Sequence, residues 1–550
     1  MKLFQPKLFT ALKDYNAKKL TSDIVAGIIV AIIALPLSIA LAIASGVSPE
    51  KGLYTAIVAG FFIALLGGSR VNISGPTAAF ATIVAGIVAQ YDVSGLVLAT
   101  LMAGVLLILM GLFRFGTLIK YIPHTITTGF TSGIAVTIVI GQLKDFLGLT
   151  FSPGTHAVET AEKLEAIADS ITTFNPWSLL IGGLGLAILI VWPKISKKIP
   201  GSLIAVLLGT AAVKLLHIPV NTIGDLYTIS GALPTFSIPN VDLVMIRELL
   251  PSAFTIAILA GIESLLSCVV SDSMIQDRHN SNTELIAQGV GNICSGLFGG
   301  IPATGAIART AANVKNGGRS PIAGIVHALV LLLILVVLMP YAAWIPMPII
   351  AAILFMVAYN MCEWRQFVKI CRSAPAGDIL VLTVTFLLTV IFDLVVAIEI
   401  GMLLAIILFM KKMADTTHIR AWTHADEMNE SDGGRLKSIP EHVSVFEIDG
   451  PMFFASSDKF GSFPLEDGTR VMILRLRNVP TLDETATHSL FALLHTCREK
   501  NIVLLLSHVN DQPFSVMKKA GFVADVGEDH FLPNIDAALA CAAEICQKPA

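Results

Sequence analysis

Charged residues are scarce in this sequence. Of its 550 residues only 14% are Asp, Glu, Lys or Arg, whereas 54% are hydrophobic and the mean hydropathy is +0.76. Soluble domains carry about 25% charged residues, so this composition excludes a soluble protein of ordinary make-up. The chain is therefore predicted to be an integral membrane protein, surrounded by a lipid bilayer.

Further absences limit the function. The formal net charge is −3 and the basic residues are dispersed, so the sequence has no basic patch for a nucleic acid. The seven cysteines lack C-x-x-C spacing, which argues against a zinc site or a disulfide framework. No nucleophile, metal cluster or phosphate-binding loop is arranged for catalysis, so we expect neither an enzyme nor a cofactor.

Long apolar runs fill most of the chain. Residues 1–20 hold five lysines and no long apolar core, which indicates a cytoplasmic segment and not a signal peptide. Residues 21–412 are interpreted as the transmembrane domain, and Pro36 is expected to break its first span near the middle. The predicted spans, seven in each half, are 24–43, 53–66, 77–89, 96–112, 127–142, 179–192 and 202–216, then 253–270, 285–298, 304–314, 322–339, 349–362, 379–394 and 396–410.

The distribution of lysine and arginine favours one orientation. With a cytoplasmic amino terminus, alternation of the spans puts most loop cations on the cytoplasmic side, among them Arg365, Lys369 and Arg372. An odd number of spans in each half gives the halves opposite orientations, which is the condition for an inverted repeat. Both termini are therefore expected to be cytoplasmic.

Two spans are interrupted in corresponding places of the two halves. Residues 67–86 and 299–314 each contain a glycine pair, an irregular segment and a proline before a helix, which should begin at about Thr77 and at Thr304. A helix that begins inside a bilayer leaves its first N–H groups unpaired, which makes an anion site. The pair predicts the central binding site of a transporter. The alternative is two ordinary Gly- and Pro-rich loops between spans.

The composition changes after Lys412. Residues 413–440 are polar and are interpreted as a linker, and residues 441–550 as a small soluble α/β domain. In this domain the patterns predict strands at 443–448, 452–455, 471–476 and 502–507, and helices at 484–500, 515–520 and 535–546.

Four motifs occur in order along the membrane part: LPLSIALAIASGVSPEKGLY (35–54), NISGPTAAF (72–80), AGIESLLSCVVSD (260–272) and ATGAIARTAANV (303–314). They resemble the sulfate permease (SulP) family of anion transporters, and the C-terminal part resembles the STAS domain of that family. The resemblance implies a polytopic α-helical membrane protein with a seven-plus-seven inverted repeat, similar to the uracil permease. It also implies a substrate-holding core and a dimerising gate, followed by a soluble α/β STAS domain.

Arg309 lies inside the second interrupted segment. Arginine at a bilayer centre costs about 2.5 to 3.5 kcal/mol. The resemblance implies that Arg309 binds the anion. The residues expected to share its pocket are Thr77, Ala78, Thr304, Gly305 and Ala306 at the two helix starts, with Leu37 and Leu41 on the first span. Many animal relatives have glutamine where this chain has Leu37, and this difference disfavours sulfate relative to carboxylate-bearing anions.

Glu263 has no basic residue within seven positions on either side. A charged, unpaired carboxylate is disfavoured inside a membrane, so Glu263 can carry a proton, and Ser267 one turn further can add a hydroxyl ligand. By resemblance Glu263 is the coupling-ion carboxylate. Relatives with aspartate and threonine at these two places use sodium, so glutamate and serine favour protons. If sodium is the coupled ion, its expected ligands are Glu263, Ser267 and Gly305; no other metal site is expected.

Two other polar residues are assigned lesser roles. His327 is interpreted as a hydrogen-bonded packing residue. Thr485 occupies the position that is phosphorylated in anti-sigma-factor antagonists, but Glu484 and Ala486 depart from that pattern. A surface for a cytosolic protein partner is therefore the favoured interpretation of this part of the STAS-like domain.

Together these expectations define a secondary active transporter of small anions in the plasma membrane, the inner membrane of a bacterium. It should be a homodimer that uses proton coupling, an elevator-type mechanism and a dicarboxylate or related anion. Sodium-coupled bicarbonate transport and proton-coupled sulfate transport remain open. An alternative of another class is a membrane-tethered STAS signalling or docking protein, which would have no reason to keep Glu263 and Arg309. A nucleobase permease is a further alternative, against which the STAS-like domain and Arg309 argue.

Overall fold

The computed structural model describes residues 4–117, 123–152, 157, 159–196, 199–239, 243–392, 394–422, 439–460, 463–464 and 468–547. Contacts divide the chain into two units, Met1–Leu403 and Leu404–Ala550. The domain boundaries given by the sequence stay predictions.

Helices make up most of the first unit, and the last of them extends into the second. They are α1 (Lys7–Ala11), α2 (Ala17–Ala44), α3 (Pro49–Leu66), α4 (Ala81–Leu112), α5 (His124–Leu147), α6 (Thr160–Asp169), α7 (Pro176–Ile195), α8 (Gly201–Leu216), α9 (Ile223–Leu226), α10 (Leu243–Ile275), α11 (Ser281–Leu297), α12 (Ile307–Lys315), α13 (Ile322–Ala342), α14 (Met347–Met361), α15 (Trp364–Ser373), α16 (Ala376–Ile391) and α17 (Leu394–Asp415). In the described residues, eight helical stretches are long and apolar enough to cross a membrane.

Every predicted span coincides with a helix, but details differ. Asp92 has left-handed backbone (φ 56°) inside α4 and separates the two predicted spans there. The predicted break at Pro36 is wrong, since α2 runs unbroken from Ala17 to Ala44. Proline removes one helical N–H without forcing a stop when neighbouring helices pack around it, as α3 and α13 do here.

The second interrupted segment starts its helix later than predicted. Thr304 and Gly305 form an extended strand, β2 (Thr304–Gly305), that pairs with β1 (Ser74–Gly75). The helix therefore begins at Ile307, and the predicted start at Thr304 is wrong by three residues. Thr304 and Gly305 therefore make hydrogen bonds to β1 and not the first turn of the helix.

The helices of the first unit pack in two groups. In one, α11 packs against α3 and α4, α10 packs against α4 and α12, and α13 packs against α2 and α3. In the other, α5 packs against α14 and α16, and α7 packs against α8 and α14. The grouping is compatible with the core and gate that the resemblance implies. The inverted relation of the two halves stays a prediction.

The second unit contains a five-stranded sheet in the order β3-β4-β5-β6-β7. Its elements are β3 (His418–Ala421), β4 (Val443–Asp449), β5 (Val471–Asn478), α18 (Glu484–Glu499), β6 (Val503–Ser507), α19 (Asp511–Lys519), α20 (Phe522–Val526), β7 (Phe531–Leu532) and α21 (Ile535–Gln547). The first pair is antiparallel and the others are parallel. Apolar clusters cover both faces, which explains why the central strands are nearly continuous apolar runs.

Two features of this unit differ from expectation. Strand β3 lies in the stretch interpreted as a linker, whose residues 423–438 fall outside the described residues. The strand predicted at 452–455 is wrong, because Phe454–Phe460 forms a 3-10 helix and only Met452 makes a β-bridge, with Leu482. A short alternating run of this kind was insufficient to distinguish a strand from a turn of helix.

Candidate functional site

The two interrupted segments contact each other through the antiparallel pair of strands β1 and β2. Beyond the strand pair, the Ala306 N–H donates to the Ile73 carbonyl at 2.8 Å. Thr77 precedes a 3-10 turn (Ala78–Phe80) that leads into α4, and Ala306 precedes α12; neither side chain caps its helix. Two helix starts, each with the positive end of its dipole, therefore lie beside the same strand pair.

Arg309 is buried next to β1. Its side chain is only 3% exposed, and its Nη2 donates to the Pro76 carbonyl at 3.0 Å. Nη1 has no hydrogen-bond partner in the described part of the chain, nor does any carboxylate there lie within ion-pair distance of Arg309. A Cβ at Gly75 would come 2.5 Å from Nη1, so any larger residue there would shift the guanidinium from this position. One guanidinium nitrogen thus keeps its donors for a ligand.

Glu263 contacts Thr77, the residue that follows Pro76 in the first interrupted segment. It is half-buried on α10, and its Oε2 accepts a hydrogen bond from Thr77 Oγ1 at 3.0 Å. Arg309 and Glu263 therefore contact consecutive residues, Pro76 and Thr77, at the start of one helix. This arrangement brings a cation, a carboxylate and an uncapped helix start together.

Ser267 does not join this group. Its hydroxyl is buried and lies 2.7 Å from Asn72 Oδ1 and 3.0 Å from Thr310 Oγ1. No hydrogen bond links it to Glu263 in the described structure. The one-turn spacing placed both residues on α10, but the side chains have different partners. The joint role of Glu263 and Ser267 in binding the coupled ion stays a prediction.

The other predicted pocket residues lie at the two helix starts, on β2 and on α2. The Thr304 hydroxyl is buried and donates to the Ala260 carbonyl at 2.8 Å, so it is already engaged with α10. Ala78 is buried and Ala306 half-buried at the two helix starts. Leu37 is half-buried and Leu41 buried, one turn apart on α2, which packs against α12 and α4.

A polar stripe on α11 holds both interrupted segments, and sequence reasoning missed it. Glu284, Gln288 and Asn292 follow each other at intervals of four residues and are all buried. Gln288 Nε2 donates to Ser74 Oγ at 3.0 Å, and Asn292 exchanges two hydrogen bonds with the backbone of Ala303. The signal was available, because polar residues at positions i, i+4 and i+8 of an apolar span share one helix face.

The carboxylate of Glu284 accepts hydrogen bonds from the first interrupted segment and from neighbouring side chains. Oε2 accepts from the backbone N–H groups of Gly68 (2.9 Å) and Ser69 (3.2 Å). Oε1 accepts from Asn72 Nδ2 at 2.7 Å, from Gln288 Nε2 at 3.1 Å and from the Ser264 hydroxyl at 3.3 Å. Since a carboxylate is an acceptor and these five groups are donors, the charged form is fully hydrogen-bonded although the residue is only 1% exposed.

His327 behaves differently from the expectation of a hydrogen-bonded packing residue. It lies fully buried on α13, and neither ring nitrogen has a partner among the described residues. That part of the interpretation is wrong. In the second unit, Thr485 is exposed in the first turn of α18, where Asp483 caps the helix through the Ala486 N–H at 2.9 Å.

Known proteins resemble this chain over most of its length. The Sulfate permease family pattern matches residues 20–385 and the STAS domain pattern residues 436–538. YvdB of Bacillus subtilis (strain 168), provisionally named a sulfate transporter, is 41% identical over 533 residues, 95% of this chain and 98% of that protein. The bicarbonate transporter BicA of a Picosynechococcus species is 33% identical over 455 residues, 80% of this chain and 79% of that protein.

A solved structure shares the fold. The murine Solute Carrier 26 family member A9 anion transporter in the inward-facing state matches with a TM-score of 0.89 at 20% identity, covering 98% of this chain and 94% of that chain. The fold class predicted from the sequence, a helical membrane part followed by a STAS domain, is confirmed. The details of the repeat stay predictions.

Proposed function

Because this chain belongs to the sulfate permease family and is a multi-pass membrane transporter of small anions, we propose that it is a proton-coupled secondary active transporter of a dicarboxylate or related anion. It is not an enzyme. The observation that supports the proposal most is the contact of Arg309 with Pro76 and of Glu263 with Thr77. Anion binding and proton binding then act on the same helix start.

In this proposal the anion binds between the two helix starts. The free Nη1 of Arg309 supplies a charged donor, and the N–H groups that follow Thr77 and Ala306 supply neutral ones. A helix start contributes about 0.3 to 1 kcal/mol to an exposed anion and up to about 2 kcal/mol to a partly buried one. A hydrogen bond to a charged group contributes about 1.5 to 3 kcal/mol, so Arg309 is the larger single contributor.

Coupling follows from the position of Glu263. When Glu263 is charged, the Thr77 hydroxyl donates to it and a second negative charge in the pocket opposes the anion. When Glu263 takes up a proton, the repulsion is removed and the Thr77 hydroxyl is released to donate to the substrate. Anion and proton then favour each other's binding, which is the requirement for symport.

The carried anion is the less constrained part of the proposal. The proposed pocket includes Leu37 and Leu41 as apolar lining, which would suit the carbon chain of a carboxylate better than sulfate. The second candidate is bicarbonate or sulfate, which the names of BicA and YvdB favour. Glutamate at 263 and serine at 267, in place of the aspartate and threonine of sodium-coupled relatives, favour protons over sodium as the coupled ion.

We further propose elevator-type alternating access in a homodimer of the plasma membrane, with both termini cytoplasmic and the STAS domain available to a cytosolic protein. The packing of the membrane helices in two groups supports one group moving against the other. Light scattering of the detergent-solubilised protein tests the dimer: the expected protein mass is twice 58.5 kDa, and a mass of 58.5 kDa would contradict it.

Uptake into proteoliposomes tests the substrate and the coupling ion together. Sulfate, bicarbonate, fumarate, succinate and aspartate are supplied with an imposed proton gradient or sodium gradient. We expect fumarate or succinate to accumulate with the proton gradient alone. Accumulation of bicarbonate or sulfate would identify that anion as the substrate in place of a dicarboxylate. Accumulation that depends on the sodium gradient would identify sodium as the coupled ion. A folded protein that transports none of these anions would favour a docking role.

A further inference from the structure

Helix α15 joins two membrane helices and presents three different sides. Phe367 packs on Phe386 of α16, with ring centroids 5.3 Å apart, and Ile370 is buried beside it. Trp364 and Val368 are exposed on a second side, and Trp364 is 46% exposed. Exposed tryptophan is typical of the boundary between hydrocarbon and water.

The third side of α15 is cationic. Arg365, Lys369 and Arg372 are spaced by four and three residues, so they share one face, and all three are exposed. None of them forms an ion pair within the described structure. Glu363 and Asp378 are the exposed acids nearest in sequence, so the cations outnumber them.

The position of α15 in the chain keeps it at the membrane surface. It follows the apolar helix α14 and precedes the apolar helix α16, and only Ala374 and Pro375 separate it from α16. Glu363 has left-handed backbone (φ 44°), which ends α14 and starts α15. A short basic amphipathic helix between two membrane helices lies in the headgroup layer.

An open cavity adjoins the start of this helix. Its volume is about 630 Å³, and His124, Tyr359, Asn360, Trp364 and Arg365 are among its lining residues, together with the acid Glu363. The Trp364 indole N–H reaches the Tyr359 hydroxyl at 3.4 Å, and the Arg365 guanidinium lies 5.6 Å from the Trp364 ring. The Trp364 ring is thus held between the Tyr359 hydroxyl and the Arg365 guanidinium at the edge of the cavity, which His124 and Asn360 also line.

We propose that α15 and this cavity bind the phosphate headgroup of an anionic phospholipid. Arg365 contacts the phosphate at the cavity, Lys369 and Arg372 extend the cationic face along the headgroup layer, and Trp364 and Val368 rest on the acyl chains. A second protein is a poorer fit, because the exposed apolar residues Trp364 and Val368 lie on a helix that directly connects two apolar membrane helices. The site is separate from Arg309 and Glu263.

Lipid binding to the full-length chain in nonionic detergent tests the proposal. The probe is phosphatidylglycerol labelled on its acyl chain, and the competitors are unlabelled phosphatidylglycerol, phosphatidylcholine and glycerol 3-phosphate. We expect saturable binding that phosphatidylglycerol alone displaces and that weakens at high salt. Equal competition by phosphatidylcholine would overturn the proposal, and equal competition by glycerol 3-phosphate would reveal a site for soluble anions instead.

Substitutions identify the residues. Each cation near a membrane surface contributes about fivefold in affinity, so Lys369→Gln should weaken binding about fivefold and the triple variant Arg365→Gln/Lys369→Gln/Arg372→Gln on the order of 100-fold. Lys369→Arg should retain wild-type affinity. The matched control is Lys194→Gln, an exposed lysine in the last turn of α7. Equal effects of Lys369→Gln and Lys194→Gln would contradict the assignment, and this pair remains informative if the triple variant does not fold.

Discussion

Replacing Arg309 by methionine separates binding from folding. The change leaves the Pro76 carbonyl without its donor, which costs about 1 to 3 kcal/mol for a buried group. It also removes a charge whose presence in the membrane costs about 2.5 to 3.5 kcal/mol. These opposite effects nearly cancel, so the melting temperature in detergent should change little. Methionine also fills much of the space of the arginine side chain.

Anion affinity should fall markedly in the same variant. A hydrogen bond to a charged group contributes about 1.5 to 3 kcal/mol, which corresponds to a rise of about 10- to 150-fold in the substrate concentration for half-maximal exchange. The assay is exchange of labelled substrate in proteoliposomes over a range of concentrations, with melting temperature measured on the same preparation. Arg309→Lys keeps the positive charge without the planar guanidinium, so its substrate affinity should lie between those of the wild type and Arg309→Met.

Lys315→Met is the matched control for this prediction. Lys315 is on the same helix, α12, but is exposed in its last turn. It should leave both affinity and melting temperature unchanged. Unchanged affinity in Arg309→Met, or an equal loss in Lys315→Met, would refute the assignment of Arg309 to the anion.

The other predictions concern residues outside that contact. In Glu284→Gln an amide N–H₂ faces at least two of the five donors that the carboxylate accepts from. This should destabilise the protein by about 2 to 6 kcal/mol and lower its melting temperature. A melting temperature equal to wild type would contradict the hydrogen-bond network around Glu284. Burial raises the pKa of the Cys497 thiol to about 11, so at pH 8 iodoacetamide should label it far more slowly than the exposed Cys371; peptide mapping showing equal rates would contradict the burial. Truncation after Lys412 removes the whole sheet of the second unit but keeps every predicted span, so a folded membrane part should be recovered in detergent with weaker dimerisation or slower transport; aggregation of all truncated protein would argue against that separation.

Sequence patterns were sufficient for the parts of the fold that composition and local chemistry determine. Apolar runs located the helices, because a bilayer requires continuous apolar length. The two glycine- and proline-containing interruptions located the places where the helices are broken, although the strands that pair there were not predicted. Arg309 and Glu263 were selected as rare charges in apolar surroundings. Their proximity to Pro76 and Thr77 follows from the fold.

Other features depend on tertiary contacts that local patterns do not contain. Helix α12 begins at Ile307 because β2 pairs with β1, a contact between residues more than 200 positions apart. Ser267 was paired with Glu263 by helical spacing, but the Asn72 and Thr310 side chains engage its hydroxyl. Pro36 did not break α2, which packs against α3 and α13. The spacing of Glu284, Gln288 and Asn292 was visible and should have been interpreted as one buried polar face.

Coupling of anion transport to protons depends on Glu263, and Glu263→Gln tests this dependence most directly. Glutamine fixes a neutral side chain of nearly the same shape, and Thr77 is the one hydrogen-bond partner of Glu263 in the described structure, so the protein should fold. Accumulation of substrate under an imposed proton gradient is measured beside exchange of labelled substrate without a gradient. Glu399→Gln, at an exposed acid of α17, is the control and should retain both activities. We expect Glu263→Gln to exchange substrate but no longer to accumulate it. Full proton-driven accumulation by Glu263→Gln would contradict the account and assign coupling to another group.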